Sequence, residues 1–153
     1  MWIKYKPEWL TPAPLKLAAI CGHLKIVDRL INASINVWTC DAMNFAAMYG
    51  YIDVVKYLHN IENGPGCTKA AMDGAATFRH LEVVKFLNEN RTEGCTKNAY
   101  DGAAHKGNAK VIEYLLNHRE DVYTSSYFYF PEFYHIQQYR SLKKRGILVN
   151  CVV

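Results

Sequence analysis

Four pairs of adjacent alanines recur along this chain at almost constant spacing. They stand at Ala18-Ala19, Ala46-Ala47, Ala75-Ala76 and Ala103-Ala104, so successive pairs are offset by 28, 29 and 28 residues. Seven residues after the second alanine, each copy has two β-branched apolar residues: Ile26-Val27, Val54-Val55, Val83-Val84 and Val111-Ile112. A fixed period of this kind indicates a repeat architecture in which each unit packs on its neighbours.

Each unit has the pattern of two short helices joined by a turn. The alanines make the first helix thin, and the apolar pair with a leucine three residues further on makes the second helix amphipathic. One such pair cannot bury both of its apolar sides, whereas four stacked pairs share a core. The sequence therefore predicts an all-α solenoid with repeats at 13–40, 41–69, 70–97 and 98–122.

The stretch 13–27, APLKLAAICGHLKIV, resembles the ankyrin consensus, in which Thr-Pro-Leu-His-x-Ala-Ala leads through Gly-His to Ile-Val. It departs from the consensus at Ala13 and Lys16, which stand in place of Thr and His. The units that start at Gly66 and Gly94 resemble a shorter variety, abundant in amoeboid protists and the giant viruses that infect them. The resemblance covers about residues 11–122 and implies a non-enzymatic module that binds another protein through the concave face of its first helices.

The usual ankyrin period is about 33 residues, so the period of 28 or 29 residues is shortened. The missing residues fall in the loop after the second helix, so we expect the projecting finger of each repeat to be stunted. Glycines in the loops 62–66 and 92–94 are expected to cap the preceding helices. Binding then depends more on the first helices.

The residues just after each alanine pair vary from copy to copy, although the scaffold around them repeats. Residues that pack in the same place in every repeat must be alike. Residues without such a packing role can differ between repeats and can determine which partner binds. Tyrosine, phenylalanine, methionine and arginine also supply large contact areas at interface centres. The predicted partner-binding residues are Met48, Tyr49, Thr77, Phe78, Arg79, His105 and Lys106. The alternative for Met48 and Phe78 is that they turn inward as core.

Arg79 replaces the turn glycine of the other three copies. A non-glycine residue in a left-handed turn costs on the order of 1 kcal/mol, so either the turn changes or something compensates. Two explanations remain open for Arg79. It arose by neutral drift and leaves the turn slightly strained, or it provides a charged contact for a partner beside Phe78. Three polar residues of the first helices, Asn44, Asp73 and Asp101, either add partner contacts or cap and solvate the helices.

We identify no pattern of residues in the sequence that is typical of a catalytic or metal-binding site. The five cysteines form no CxxC pair, and Cys67 and Cys95 are expected to pack as small buried residues, because equivalent positions of stacked helices lie about 8–10 Å apart. His23 and His80 occupy the turn where ankyrin repeats place a histidine that bonds to the backbone. We find no nucleophile with a base, no phosphate loop and no metal-ligand spacing, so we expect neither an enzyme nor a cofactor.

The two ends depart from the repeat. Residues 1–12 are expected to form an irregular N-terminal cap, and residues 123–153 an aromatic C-terminal cap with a helix at 131–145. The aromatic, basic tail leaves two alternatives open, a nucleic-acid-associated factor and a structural subunit of a larger assembly, although the net charge of +4 makes nucleic acid the weaker partner. No run is apolar enough for a membrane span, and the odd cysteine count favours a reduced, cytoplasmic setting, with the nucleus as the alternative. We expect a monomer unless the tail self-associates.

Overall fold

The computed structural model describes residues 11–33, 39–61, 64 and 66–119, and these residues form eight α-helices in two layers. The inner layer contains α1 (Ala13–Ile20), α3 (Cys40–Met48), α5 (Lys69–Thr77) and α7 (Lys97–His105). The outer layer contains α2 (Leu24–Asn32), α4 (Ile52–His59), α6 (Leu81–Asn90) and α8 (Ala109–His118). The predicted all-α stack of four helix pairs is confirmed. Residues 1–10 of the predicted N-terminal cap and the whole predicted C-terminal cap, including the helix expected at 131–145, lie outside the described residues.

The alanine pairs lie at the centre of the inner layer. Ala46, Ala47, Ala75 and Ala76 are fully buried, and Val55 and Val84 of the outer helices close the core over them. Each inner helix packs on the next one more extensively than each outer helix does. The alanines of the inner helices therefore fill the interior together with larger inner-helix side chains, such as Met43, Met72 and Tyr100, and the branched residues of the outer helices.

Two glycines allow the inner helices to approach each other closely. A Cβ atom on Gly74 would lie 3.0 Å from the Cβ of Met48, and one on Gly102 would collide with the Oγ1 of Thr77. Glycine inside a helix costs about 1 kcal/mol relative to alanine. We therefore attribute both glycines to the close contact between successive repeats.

The turn within each repeat has one residue in the left-handed region. The φ angle is 69° at Gly22, 80° at Gly50, 72° at Arg79 and 67° at Gly107. The N-cap residues of α4 and α6 lie over the turn of the preceding repeat. Rings of Tyr51 and His80 occupy the space beside Gly22 and Gly50, where a Cβ atom would collide with them. Neighbouring turns are therefore interlocked.

Two polar residues of the inner helices hold the start of the next inner helix. The side chain of Asn44 accepts a hydrogen bond from the backbone N–H of Thr68 (2.9 Å) and donates to its Oγ1 (3.0 Å). Asp73 makes the equivalent contacts, accepting from the N–H (2.8 Å) and the hydroxyl (2.7 Å) of Thr96. Thr68 and Thr96 are themselves the N-caps of α5 and α7. Asn44 and Asp73 thus join repeats to each other.

The loops between repeats are short, and the described residues contain no strand. The prediction that loop glycines cap the preceding helix is wrong for Gly66 and Gly94. Both have positive φ angles, 71° and 73°, but they stand just before the N-caps of α5 and α7. Helix α6 ends instead at Arg91 in an extended conformation. The glycines leave room for Arg91 and Arg119, whose guanidinium groups lie against them.

None of the helices in the described part of the chain is long and apolar enough to cross a membrane.

Candidate partner-binding surface

Tyr49 and Phe78 project from equivalent positions in adjacent repeats. Each is the first residue after its inner helix, and its backbone N–H still donates to a helical carbonyl, that of Phe45 for Tyr49 (2.9 Å) and that of Gly74 for Phe78 (3.0 Å). The helix therefore fixes both backbones, while 50% of Tyr49 and 51% of Phe78 remain exposed. The alternative that Phe78 turns inward as core is wrong.

Met48 and Thr77 form the floor beside these rings. They are the last residues of α3 and α5, and both are half-buried. Met48 packs against Gly74, and Thr77 packs against Gly102 while its hydroxyl donates to the carbonyl of Asp73 (2.8 Å). These two predicted site residues thus lie mainly between repeats, and only part of each side chain can meet a partner.

Arg79 links the turn within the third repeat to the turn within the fourth repeat. Its Nε donates to the Oδ1 of Asn108, and its Nη2 donates to the carbonyl of Lys106 (2.8 Å). The buried Asn108 in turn donates from Nδ2 to the carbonyls of Ala76 (2.9 Å) and Thr77 (2.8 Å). The turn keeps its left-handed geometry, and these contacts compensate for the strain at Arg79. Arg79 is therefore a structural residue as well as an exposed cation.

Asn108 is the residue that the sequence reasoning missed. The preceding copies have His23, Tyr51 and His80 at this position, so the change to asparagine coincides with the arginine one repeat earlier. An asparagine oxygen accepts from a guanidinium, and its amide donates to carbonyls. Two departures from the repeat pattern in adjacent copies, 29 positions apart, were the available signal.

The fourth repeat makes one end of this surface cationic. His105 and Lys106, at the end of α7, are both exposed, and the guanidinium of Arg79 reaches the same turn. Tyr49 and Phe78 belong to the second and third repeats. Along the stack, the exposed side of the inner helices therefore changes from aromatic to positively charged.

His80 bonds to the backbone, as expected from the ankyrin resemblance. Burial against the second turn lowers the pKa of its imidazole below the ordinary value of 6.5, and a hydrogen bond with the backbone of Met48 opposes that shift. The ring is thus kept neutral near neutral pH. His23 has no such role among the described residues, and its side chain is exposed.

Cys67 and Cys95 are both buried, with 9% and 4% of their surfaces exposed. Burial raises the pKa of the Cys67 thiol to about 11, and Glu93 adds to the shift while Arg91 opposes it. Arg91 also forms an ion pair with Glu93, which holds the pKa of that carboxyl below its usual value. A thiol with such a pKa is a poor nucleophile. In the described ranges, no three His, Cys, Asp or Glu side chains cluster to hold a metal ion.

Aromatic side chains also lie on successive outer helices, where they contact the preceding repeat. Tyr57 donates from its hydroxyl to the Oδ1 of Asp28 (2.6 Å), which raises the pKa of the phenol. The ammonium groups of Lys56 and Lys85 stand 6.0 Å and 5.8 Å from the ring centroids of Phe86 and Tyr114 in the next repeat. These rings lie against the preceding outer helix and stabilise the stack, so we do not assign them to binding.

Comparison with known proteins agrees with this architecture. A family model of ankyrin repeats in three copies matches residues 44–126, which is more than half of the chain, and a second ankyrin-repeat model matches residues 15–59. The chain belongs to the ankyrin-repeat family. Ankyrin repeats generally mediate contacts between proteins and are typically non-enzymatic.

One relative is an ankyrin repeat protein of Acanthamoeba polyphaga mimivirus. It is 34% identical over 67 residues, which are 41% of this chain and 32% of the relative. The match thus spans about a third of the viral protein's length, and its source agrees with the resemblance to the shorter ankyrin variety of giant viruses.

Proposed function

We propose that this ankyrin-repeat chain is a non-enzymatic recognition or adaptor protein that binds a partner through the exposed side of its inner helices. The observation that supports this most directly is the exposure of Tyr49 and Phe78, half of each ring, in adjacent copies of an otherwise regular scaffold. Large aromatic side chains on rigid backbone contribute most of the binding energy at many protein interfaces. We call Tyr49, Phe78 and the floor residues Met48 and Thr77 the aromatic site.

The aromatic site suits an apolar side chain of the partner. Its two rings extend from helix ends that are fixed by hydrogen bonds, so little conformational entropy is lost when a partner packs against them.

The cationic end suits an acidic group of the same partner. Lys106 and His105 are both exposed. Charges at the rim of an interface mainly accelerate association and improve specificity. The partner proposed here thus has an apolar anchor and a neighbouring carboxylate, in the reduced cytoplasmic setting that the cysteines favour.

Affinity capture from an extract of the organism that encodes the chain tests this proposal. Four forms of the chain are compared: the wild type, Tyr49→Ala/Phe78→Ala, Lys106→Glu, and an outer-helix control, Glu82→Ala/Glu89→Ala. We expect the aromatic change to remove the specific partner, the Lys106 change to slow its association, and the control to retain it. Recovery of the same partner by all four forms would exclude the aromatic site.

Salt dependence separates this function from binding of nucleic acid by the basic tail. Binding to phosphates weakens steeply as salt rises, because counterions are released. Binding through the aromatic site is expected to persist at high salt and to survive removal of the residues after Val122. Loss of binding under either condition would favour the tail.

A further inference from the structure

The N-terminal end of the stack exposes apolar residues that are buried in the later repeats. Ile26 is 48% exposed, whereas its equivalents Val54, Val83 and Val111 are exposed by only 1%, 1% and 2%. The first repeat differs from the other three in that the described residues include no repeat before it. The exposure of Ile26 therefore marks the place where a preceding unit would pack.

Leu17 points to the same missing neighbour. It is 60% exposed, and the residues at its position in later repeats all contact the repeat before them. Phe45 lies under the ammonium group of Lys16, 4.5 Å from the ring centroid, and the two glycines at this position face Met48 and Thr77. The side of α1 that bears Leu17 is therefore a packing surface.

Together these residues mark, on both helices of the first repeat, positions that are packed in the later repeats. We call Leu17, Ile26 and the half-buried Leu30 the N-terminal end face. Leu30 belongs to it because its equivalents Leu58, Leu87 and Leu115 are buried, at 8%, 1% and 0% exposed. The end of a solenoid needs a cover for such a surface, since its apolar residues otherwise remain in water.

We propose that residues 1–10 of this chain dock on the N-terminal end face in place of a preceding repeat. The segment joins α1 through only two residues, Thr11 and Pro12, and it is rich in apolar side chains: Trp2, Ile3, Tyr5, Trp9 and Leu10. Leu17 lies four residues into α1, about 6 Å along the helix axis. Ten residues reach up to about 33 Å, which is ample for both helices of the first repeat.

The prolines of the N-terminal segment are compatible with this docking. Pro12 is the N-cap of α1, and proline restricts the residue before it to extended conformations, so α1 does not continue backwards through Thr11. Pro7 disfavours one continuous helix through the segment. The proposed docking therefore does not require residues 1–10 to extend α1 along its own axis.

A second copy of the chain and an unrelated protein are the competing occupants. A tethered segment acts at an effective concentration in the millimolar range. A second copy at micromolar concentration competes poorly against it. The adjacent segment is thus the favoured occupant at ordinary protein concentrations.

Tryptophan fluorescence of the whole chain tests the docking. In a Trp38→Phe background the signal comes from Trp2 and Trp9 alone. We expect emission at shorter wavelength than in a synthetic peptide of residues 1–10, and a several-fold lower acrylamide quenching constant. Ile26→Gln and Leu17→Ser should shift the emission to longer wavelength and raise quenching, whereas the matched control Phe78→Ser, an equally exposed apolar residue elsewhere, should change neither.

Peptide-like quenching in the chain itself, or protected tryptophans that do not respond to Ile26→Gln and Leu17→Ser, would overturn the proposal. Sedimentation at several concentrations addresses the second copy. If protection appears only as the chain dimerises, the end face is an interface between copies and the proposal is wrong. Far-UV circular dichroism confirms that each variant is folded, and both substituted residues are solvent-exposed in the described structure.

Discussion

Arg79 shows how a strained residue can be retained for its side chain. Its left-handed backbone costs on the order of 1 kcal/mol. Its guanidinium bonds to Asn108 and to the carbonyl of Lys106, and without it the Oδ1 of the buried Asn108 would lose this partner. Loss of hydrogen bonds from a charged donor, together with an unsatisfied acceptor, costs about 1–3 kcal/mol, so the contacts outweigh the strain.

Arg79→Gly is therefore expected to lower the free energy of unfolding by about 1 kcal/mol. The measurement is urea unfolding followed by circular dichroism. Arg79→Lys is the companion variant, because it keeps the charge and the strained backbone but not the fork geometry, and it should be at least as unstable. A higher midpoint for Arg79→Gly would mean that strain dominates.

His80 makes the junction of the second and third repeats sensitive to acid. Burial lowers its pKa in the folded chain below the value of 6.5 expected in the unfolded chain. The unfolded state then binds the proton more readily, so the stability that the neutral ring provides is complete above pH 6.5 and is lost as the pH falls through the lowered pKa.

His80→Asn should remove this dependence, because Asn108 at the equivalent position bonds to carbonyls without titrating. We expect the free-energy difference between the wild type and His80→Asn to move in favour of the variant between pH 7 and pH 5. Urea unfolding at several pH values measures it, and the other histidines affect both proteins equally. A difference that stays constant with pH would contradict the effect of burial.

At the scale of the helices, the caps of α5 and α7 depend on the repeat before them. Asp73 accepts two hydrogen bonds from Thr96, and removal of a charged acceptor of this kind costs about 1–3 kcal/mol. We expect Asp73→Ala to destabilise the chain towards the lower end of that range, since the carboxylate is only half-buried. Asp73→Asn should cost less, because Asn44 makes the same contacts one repeat earlier.

A double-mutant cycle of Asp73→Ala with Thr96→Ala measures this coupling in urea unfolding. Glu89→Ala, which removes an exposed carboxylate from α6, is the control and should be nearly neutral. Additive effects of the two changes would show that the hydrogen bonds across the repeat do not stabilise the cap.

The helices were predictable from the sequence, whereas the contacts between repeats were not. The alanine pairs and the apolar pairs recur in every copy, so each copy strengthens the same inference about α1 to α8. The Arg79 and Asp73 contacts join residues 29 and 23 positions apart, through side-chain directions that only the geometry of the stack reveals. The role of the loop glycines was wrongly predicted for the same reason, because the sequence does not show that Arg91 and Arg119 fill the space beside them.

At the scale of the whole stack, few large apolar side chains of the described residues are exposed. Leu17, Ile26, Tyr49, Tyr51 and Phe78 are the large exposed ones among the described residues. Leu17 and Ile26 belong to the end of the stack, and Tyr51 packs over the first turn. Tyr49 and Phe78 have no such role within the repeats, which is why exposure, rather than the sequence pattern alone, distinguishes the aromatic site.

The most direct test of the aromatic site is the dissociation constant of the captured partner, measured by isothermal titration calorimetry. The wild type is compared with Tyr49→Ala/Phe78→Ala and with Glu82→Ala/Glu89→Ala, all of them folded by circular dichroism. Truncation of interface hot spots costs about 2 kcal/mol or more, so we predict binding at least about 30-fold weaker for the aromatic variant and unchanged for the control. An unchanged dissociation constant for Tyr49→Ala/Phe78→Ala would contradict the proposed function.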